Sequence, residues 1–176
     1  MRAISLSADD VLVGITASGA TPYVIAALDA ARKVGAATIA LTCNTDSLAA
    51  AHADLDIAVV VGPEVLAGST RLKAGTATKL VLNTLTTGAM VRLGKTYGNL
   101  MVDLQASNEK LVGRARRILQ RVSDLDEAAA EQLLADCKGE LKTAILVARL
   151  DIDAEDARQR LAAAGGRLRV ALGDDA

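Results

Sequence analysis

The residues best suited to chemistry lie in a glycine- and hydroxyl-rich turn, GITASGATPY at residues 14–23, hereafter the first turn. An apolar run enters the turn, and a helix is predicted to follow at once, with Thr21 as its N-cap and Pro22 at its first position. Such a turn directs backbone N–H groups and the positive end of a helix dipole at one point. We therefore predict that Ser18, Gly19 and Thr21 bind the phosphate of a small molecule. The alternative is an ordinary strand-to-helix turn.

A second hydroxyl-bearing turn, hereafter the second turn, lies in GPEVLAGSTRLKAGTA at residues 62–77. It combines two hydroxyls with two cations at the start of a predicted helix. Such side chains can neutralise a phosphate or a carboxylate. The alternative is a capped helix with solvated basic residues. The predicted binding residues of this turn are Ser69, Thr70, Arg71 and Lys73.

Strands and helices alternate in the first third of the chain, which is typical of a parallel sheet with right-handed crossovers. A long apolar helix at 72–93 follows, and we expect it to be largely buried. A more polar helix is predicted at 107–122. The predicted strands are 11–16, 37–43 and 57–61, and the predicted helices between them are 22–34 and 45–53.

The composition changes near residue 123, where three short helical segments are predicted at 123–137, 140–150 and 153–164. The sequence therefore predicts an α/β domain at 1–122 followed by a small three-helix domain at 123–176. Three strands are fewer than a doubly wound sheet usually contains, and they leave an open edge. We expect either pairing with another copy or further strands from an upstream segment.

The overall composition excludes some function classes. A net charge of −1 and only two aromatic residues among 176 argue against a nucleic-acid partner. Cys43 and Cys137 fit no metal or redox spacing, so both are predicted to be reduced and buried in a cytoplasmic protein. The N-terminus has no apolar core of a signal peptide, and no uncharged run is long enough to predict a membrane span.

Four segments together resemble one family. They are the first turn continued to residue 24, the second turn, KTYGNLMVD at 95–103, and a tail from KTAI at 142–145 to GGRL at 165–168. The chain resembles the N-acetylmuramic acid 6-phosphate etherases and, more distantly, the glucokinase regulatory proteins, both of the sugar-isomerase (SIS) fold group. The likeness covers nearly the whole chain.

The resemblance implies a three-layer parallel α/β sandwich, incomplete here, followed by a helical domain similar to a ubiquitin-associated domain. The implied activity is cleavage of the D-lactyl ether of N-acetylmuramic acid 6-phosphate, giving N-acetylglucosamine 6-phosphate and D-lactate. It implies a cytoplasmic homodimer that uses no metal and no organic cofactor. Two features depart from the family: an upstream segment that carries another phosphate loop and the two catalytic glutamates is not in the sequence, and Ala20 replaces a common arginine.

Etherase chemistry of this kind needs a base for the C2 proton and an acid for the departing lactate oxygen. The carboxylates considered are Glu64, Asp103 and Glu109. Glu64 follows a strand and precedes a polar turn, which would place it on the same sheet edge as Ser18. The alternative is that Glu64 caps or orients the following turn, and the other two are predicted to be structural. No catalytic residue is assigned, and without its upstream glutamates the chain alone is expected to be inactive.

Three functions remain open at this point. The chain is a lyase of the etherase type, a non-catalytic sugar-phosphate-binding regulatory module, or an interaction module that uses the helical domain and binds no sugar. Lactate release by the chain would favour the first. Saturable binding of N-acetylglucosamine 6-phosphate without turnover would favour the second, and the absence of both would favour the third.

Overall fold

The computed structural model describes residues 5–104 and 108–174. Two compact units divide the chain, residues 1–85 and 86–176. The predicted boundary near residue 122 between a sugar-phosphate-binding domain and a helical domain stays a prediction. The first unit contains β1 (Val11–Thr16), α1 (Pro22–Lys33), β2 (Ala37–Thr42), α2 (Leu48–Ala51), β3 (Leu55–Ala58) and the start of α3 (Lys73–Arg92).

The sheet of the first unit is parallel and has the order β1-β2-β3, which confirms the predicted α/β class. Thr16 lies opposite Thr42, and Thr42 opposite Ala58, so the three strands end in one row at the carboxyl edge. The third strand begins earlier than the predicted residue 57. Asp54 holds its start, because its Oδ2 accepts hydrogen bonds from the Thr38 amide at 2.9 Å and from the Thr38 hydroxyl at 2.7 Å.

Helices α1 and α2 pack on one face of the sheet, where Leu28, Ala40 and Ala49 are fully buried together. Gly14 allows the close approach of α1, since a Cβ at this position would lie 2.8 Å from Val24 Cγ1. The opposite face carries large apolar side chains that the described residues leave exposed. They include Val11 (59% exposed), Ile15 (42%) and Leu55 (54%).

Helix α3 forms at the predicted position, but the expectation that it is largely buried is wrong. Among its described residues only Ala74 is buried, and Leu80 is 60% exposed. A helix with apolar residues around most of its circumference is stabilised when those residues are buried. Burial, however, requires another element to pack against the helix. Within the described part of the chain no such surface covers α3. Gly94 ends the helix region as predicted, with a φ of 71°.

The second unit continues with a short antiparallel hairpin and five helices around one core. The helices predicted at 123–137, 140–150 and 153–164 all form, and a fifth one at the C-terminal end was not predicted. The first described turn of the polar helix is capped by Asn108, and its predicted start at Ser107 lies outside the described residues. The elements are β4 (Thr96–Tyr97), β5 (Leu100–Met101), α4 (Glu109–Val122), α5 (Glu127–Asp136), α6 (Leu141–Leu150), α7 (Ala154–Ala163) and α8 (Leu168–Leu172).

Candidate functional site

Three hydroxyl groups meet in the first turn. The hydroxyl of Thr16, the last residue of β1, lies 2.7 Å from the Thr21 hydroxyl and 3.4 Å from the Ser18 hydroxyl. Thr16 is buried, whereas Ser18 and Thr21 are exposed at the surface. The buried hydroxyl therefore holds two exposed hydroxyls in place at the carboxyl edge of the sheet.

The backbone of the first turn presents N–H groups beside these hydroxyls. Thr21 occupies the N-cap position of α1 and Pro22 follows it, as predicted, but the Thr21 hydroxyl bonds to Thr16 and makes no capping bond. The amides of Ser18, Thr21 and Tyr23 have no acceptor among residues 5–104 and 108–174. Unpaired N–H groups at a helix N-terminus form a site that favours an anion.

The loop after β2 supports the first turn from behind. The Asn44 side-chain amide donates to the Ala17 and Ser18 carbonyls at 3.2 Å each, and the Ala49 amide donates to the Gly19 carbonyl at 2.8 Å. Gly19 has a φ of 75°, and a Cβ there would lie 2.2 Å from the Ser47 Cβ. Gly19 therefore contributes by its lack of a side chain, because only glycine allows Ser47 to approach the first turn this closely.

Sequence reasoning missed Thr16, Asn44 and Ser47 as parts of this site. The signal was available in principle for two of them. Thr16 is the last residue of a predicted strand, and Asn44 follows the neighbouring one, so both lie at the edge where parallel strands end. The contact of Ser47 with Gly19 depends on how α2 packs, which residue spacing alone does not give.

The second turn is organised by Glu64. Its carboxylate accepts hydrogen bonds from the first two amides of α3, those of Lys73 and Ala74, at 3.0 Å each. This is the structural alternative raised for Glu64, a residue that caps the following helix. Because the carboxylate occupies these two amides, a phosphate at this turn would be held by side chains instead.

The cations of the second turn remain open to an anion. Arg71 and Lys73 line a shallow surface groove with Leu72, and neither takes part in an ion pair within the described segments. Ser69 is partly exposed and Thr70 is exposed. No hydrogen bond or ion pair between described residues joins the second turn to the first.

The hydrogen bonds from the Ala74 and Lys73 amides, together with the Lys73 charge, hold the pKa of Glu64 below its ordinary value of 4.5. A carboxyl group with a lowered pKa keeps its charge at neutral pH and is a poor proton donor. Glu64 therefore serves the local structure, and it does not have the raised pKa expected of a general acid.

We expect Glu64→Gln to destabilise the chain at neutral pH. The Glu64 carboxylate stabilises the folded state only while it is ionised, because its pKa is lower in the folded state than in the unfolded state. Protonation at low pH removes this contribution to the free energy of unfolding. The stability difference between the native chain and the variant should be complete above pH 4.5 and shrink as the pH falls below it. Urea unfolding at neutral and acidic pH measures this difference, and a difference that does not change with pH would contradict it.

Asp103 is an ion-pair centre in the second unit. It contacts Lys95 and lies 2.7 Å from the Lys142 ammonium, which also donates to the Gly166 carbonyl at 2.9 Å. Burial raises the pKa of Asp103, but the hydrogen bonds from Lys142 and Lys95 outweigh it and lower the pKa. The predicted structural role of Asp103 agrees with these contacts. Glu109 lies in the first turn of α4, where it complements the helix dipole.

The described residues contain neither a metal-ligand cluster nor a membrane-spanning helix. No group of three or more His, Cys, Asp or Glu side chains in this part of the chain could hold a metal ion. No described helix is both long and apolar enough to cross a bilayer. Cys43 and Cys137 are both buried free thiols.

Comparison with known families matches residues 1–88 to the SIS domain, and residues 98–138 to the C-terminal lid domain of glucokinase regulatory protein. The first match covers half of the chain and contains both turns.

Curated relatives include proteins named N-acetylmuramic acid 6-phosphate etherase. The chain is 53% identical to one from Mycolicibacterium smegmatis, with 98% of the chain and 58% of the relative covered. It is 55% identical to one from Streptomyces coelicolor (98% and 55% covered) and 54% identical to one from Rhodopirellula baltica (94% and 55% covered). The resemblance inferred from the four segments is confirmed, and the chain spans a little over half the length of these relatives.

Proposed function

The chain belongs to the SIS domain family, and on that premise we propose that its first turn binds the phosphate group of an amino-sugar phosphate. One observation carries the proposal: the hydroxyls of Thr16, Ser18 and Thr21 meet beside unpaired amides at the N-terminus of α1. Hydroxyl and amide donors satisfy phosphate oxygens, and the helix dipole favours their negative charge. The rigid support from Asn44 lowers the cost of ordering this turn when a ligand binds.

We propose N-acetylmuramic acid 6-phosphate as the substrate of the whole protein, because the relatives are named as its etherases. The reaction would consume one water molecule, release D-lactate and leave N-acetylglucosamine 6-phosphate. In this account the first turn holds the 6-phosphate and orients the sugar. The cations of the second turn, Arg71 and Lys73, are proposed to attract the carboxylate or phosphate of the same ligand.

The acid and base of ether cleavage are not assigned to residues of this chain. Glu64 and Asp103 both have lowered pKa values, so neither holds a proton at neutral pH for the leaving lactate. We propose that the contribution of these residues is structural and that the chain supplies substrate binding. No cofactor is part of the proposed chemistry.

A non-catalytic sugar-phosphate-binding regulatory module is the second candidate. The match of residues 98–138 to the lid domain of glucokinase regulatory protein favours it. Both candidates use the same sugar-phosphate site. They differ in whether the protein cleaves the bound sugar.

Two assays on the purified chain test the proposal. Calorimetric titration should show saturable binding of N-acetylglucosamine 6-phosphate and much weaker binding of N-acetylglucosamine, which lacks the phosphate. Equal affinities for the two sugars would overturn the phosphate site. An enzymatic assay for D-lactate should detect no release from N-acetylmuramic acid 6-phosphate above the blank, and steady release would assign the etherase activity to this chain itself.

We also propose that the chain forms a homodimer, because its apolar surfaces call for a partner. Leu80 on α3 is 60% exposed, and Val11 and Leu55 on the open sheet face are similarly exposed. Exposed large apolar side chains in such numbers indicate protein interaction surfaces.

We expect the native chain to sediment as a dimer at micromolar concentration and Leu80→Glu to shift it toward monomer. A charge in a buried interface costs free energy unless it is paired. Lys79→Glu, a change at the neighbouring exposed residue, is the matched control and should alter the equilibrium less. A native chain that remains monomeric at high micromolar concentration would contradict the proposal.

We propose a cytoplasmic location. The two cysteines, Cys43 and Cys137, are buried and unpaired, as is usual for proteins of reducing compartments. The proposed substrate, a phosphorylated sugar, is also a kind of molecule found inside cells.

A further inference from the structure

Three arginines surround a pocket in the second unit. Arg92 comes from the end of α3, Arg167 immediately precedes α8, and Arg169 lies within α8. The pocket has a volume of about 310 Å³. This size suits a compact ligand. The pocket, hereafter the arginine pocket, is lined by Val91, Arg92, Gly94, Thr96, Gly98, Arg167, Leu168, Arg169 and Val170.

The arginine pocket carries an uncompensated positive charge. No carboxylate is among its lining residues, and none of the three arginines forms an ion pair with a described residue. Elsewhere in the same unit, by contrast, Arg116 pairs with two glutamates and Arg158 pairs with Glu140. Three guanidinium groups that line one pocket without an ion-pair partner favour the binding of an anion there.

The Arg169 guanidinium and the aliphatic stem of Arg167 both pack against neighbouring residues before any ligand binds. The Arg169 guanidinium lies 5.8 Å from the centre of the Tyr97 ring, and the Tyr97 hydroxyl is itself bonded to Asp174 at 2.6 Å. The stem of Arg167 packs closely over Gly94, where a Cβ would lie 2.7 Å from the Arg167 Cγ. Side chains fixed in this way lose less entropy on binding than free surface arginines do.

From this geometry we propose that the arginine pocket binds a small molecule that carries at least two phosphate groups, such as a sugar bisphosphate. A single phosphate brings a charge of about −1.5 to −2 and leaves part of the three arginine charges uncompensated. Two linked phosphates match the charge and allow bidentate contacts. A nucleic-acid polymer is disfavoured, because the chain has a net charge of −1. The pocket shares no residue with the first turn, and this proposal does not rest on the proposed function.

Calorimetric titration of the full chain with pyrophosphate at fixed ionic strength tests the proposal. We expect saturable binding at one site per chain, with orthophosphate at least about tenfold weaker. Arg169→Gln and Arg92→Gln should each lower the affinity roughly tenfold, the size of one charged hydrogen bond. These two residues lie on different helices, so a folding defect in one variant leaves the other informative. Arg114→Gln, at an exposed arginine outside the pocket, is the matched control and should retain the affinity.

Three results would overturn the proposal. They are the absence of saturable pyrophosphate binding, an unchanged affinity in both pocket variants, and displacement of pyrophosphate by excess N-acetylglucosamine 6-phosphate. The last result would show that pyrophosphate occupies the sugar-phosphate site of the first turn. If N-acetylglucosamine 6-phosphate does not bind at all, the sugar-phosphate site of the first turn is contradicted but the arginine pocket is not. The two proposals can therefore be tested independently.

Discussion

Replacing Ser18 with alanine is expected to lower the affinity for N-acetylglucosamine 6-phosphate by roughly tenfold to a hundredfold, the range of a hydrogen bond to a charged group. The Ser18 hydroxyl is exposed, lies 3.4 Å from the Thr16 hydroxyl and accepts a bond from the Ala20 amide. It can therefore donate its own proton to a phosphate oxygen. Alanine removes this donor without changing the size of the turn.

Calorimetric titration measures the affinity of the Ser18 variant. Thr87→Ala, at an exposed position on α3, is the control and should leave the affinity unchanged. Ser69→Ala tests the second turn by the same assay, with a smaller expected loss, because Glu64 already occupies the first amides of α3. Equal affinities of the native chain and the Ser18 variant would remove the first turn as the phosphate site.

Replacing Gly19 with alanine is expected to be the most destabilising single change in the first turn, by about 2–5 kcal/mol in the free energy of unfolding. Two effects add. The residue has a φ of 75°, a left-handed conformation that costs a non-glycine residue about 1–2 kcal/mol. The new Cβ would also lie 2.2 Å from the Ser47 Cβ, an overlap that α2 must move to relieve, at about 1–3 kcal/mol.

Gly68→Ala separates the two effects. Gly68 has a φ of 80°, but a Cβ there meets nothing within 4 Å. This control should lose only the backbone contribution of about 1–2 kcal/mol. Urea unfolding of both variants measures the difference. If the two variants lose equal stability, the close contact between Gly19 and Ser47 does not contribute.

The sequence was most informative about local structure in the first unit. Pro22 and the following apolar positions predicted α1 correctly, and the apolar run at 11–16 predicted β1 to the residue. Proline restricts the backbone and glycine widens its allowed range, each through its own covalent structure, so their signals are read without knowledge of tertiary contacts. The predicted phosphate site at the first turn depends on the same local signals.

The features that the sequence did not fully reveal depend on contacts that residue type and spacing do not determine. The cap that Glu64 forms on α3 was raised from the sequence as an alternative, but its partners were not: Glu64 lies nine residues before Lys73, whose amide donates to it, outside the usual range of a capping motif. The hydroxyls of Thr16 and Thr21 form a hydrogen bond because the chain reverses direction between the end of β1 and the start of α1. The exposure of α3 follows from what packs against it, which its own apolar pattern does not determine.

The most direct test of the sugar-phosphate site is an amide NMR titration of the isotope-labelled chain with N-acetylglucosamine 6-phosphate. Our account predicts that the largest shifts occur at the amides of Ser18, Thr21 and Tyr23, whose N–H groups lack acceptors among the described residues. The affinity obtained from these shifts should match the calorimetric value. Shifts confined to other parts of the chain, with these three amides unchanged at saturation, would contradict the account.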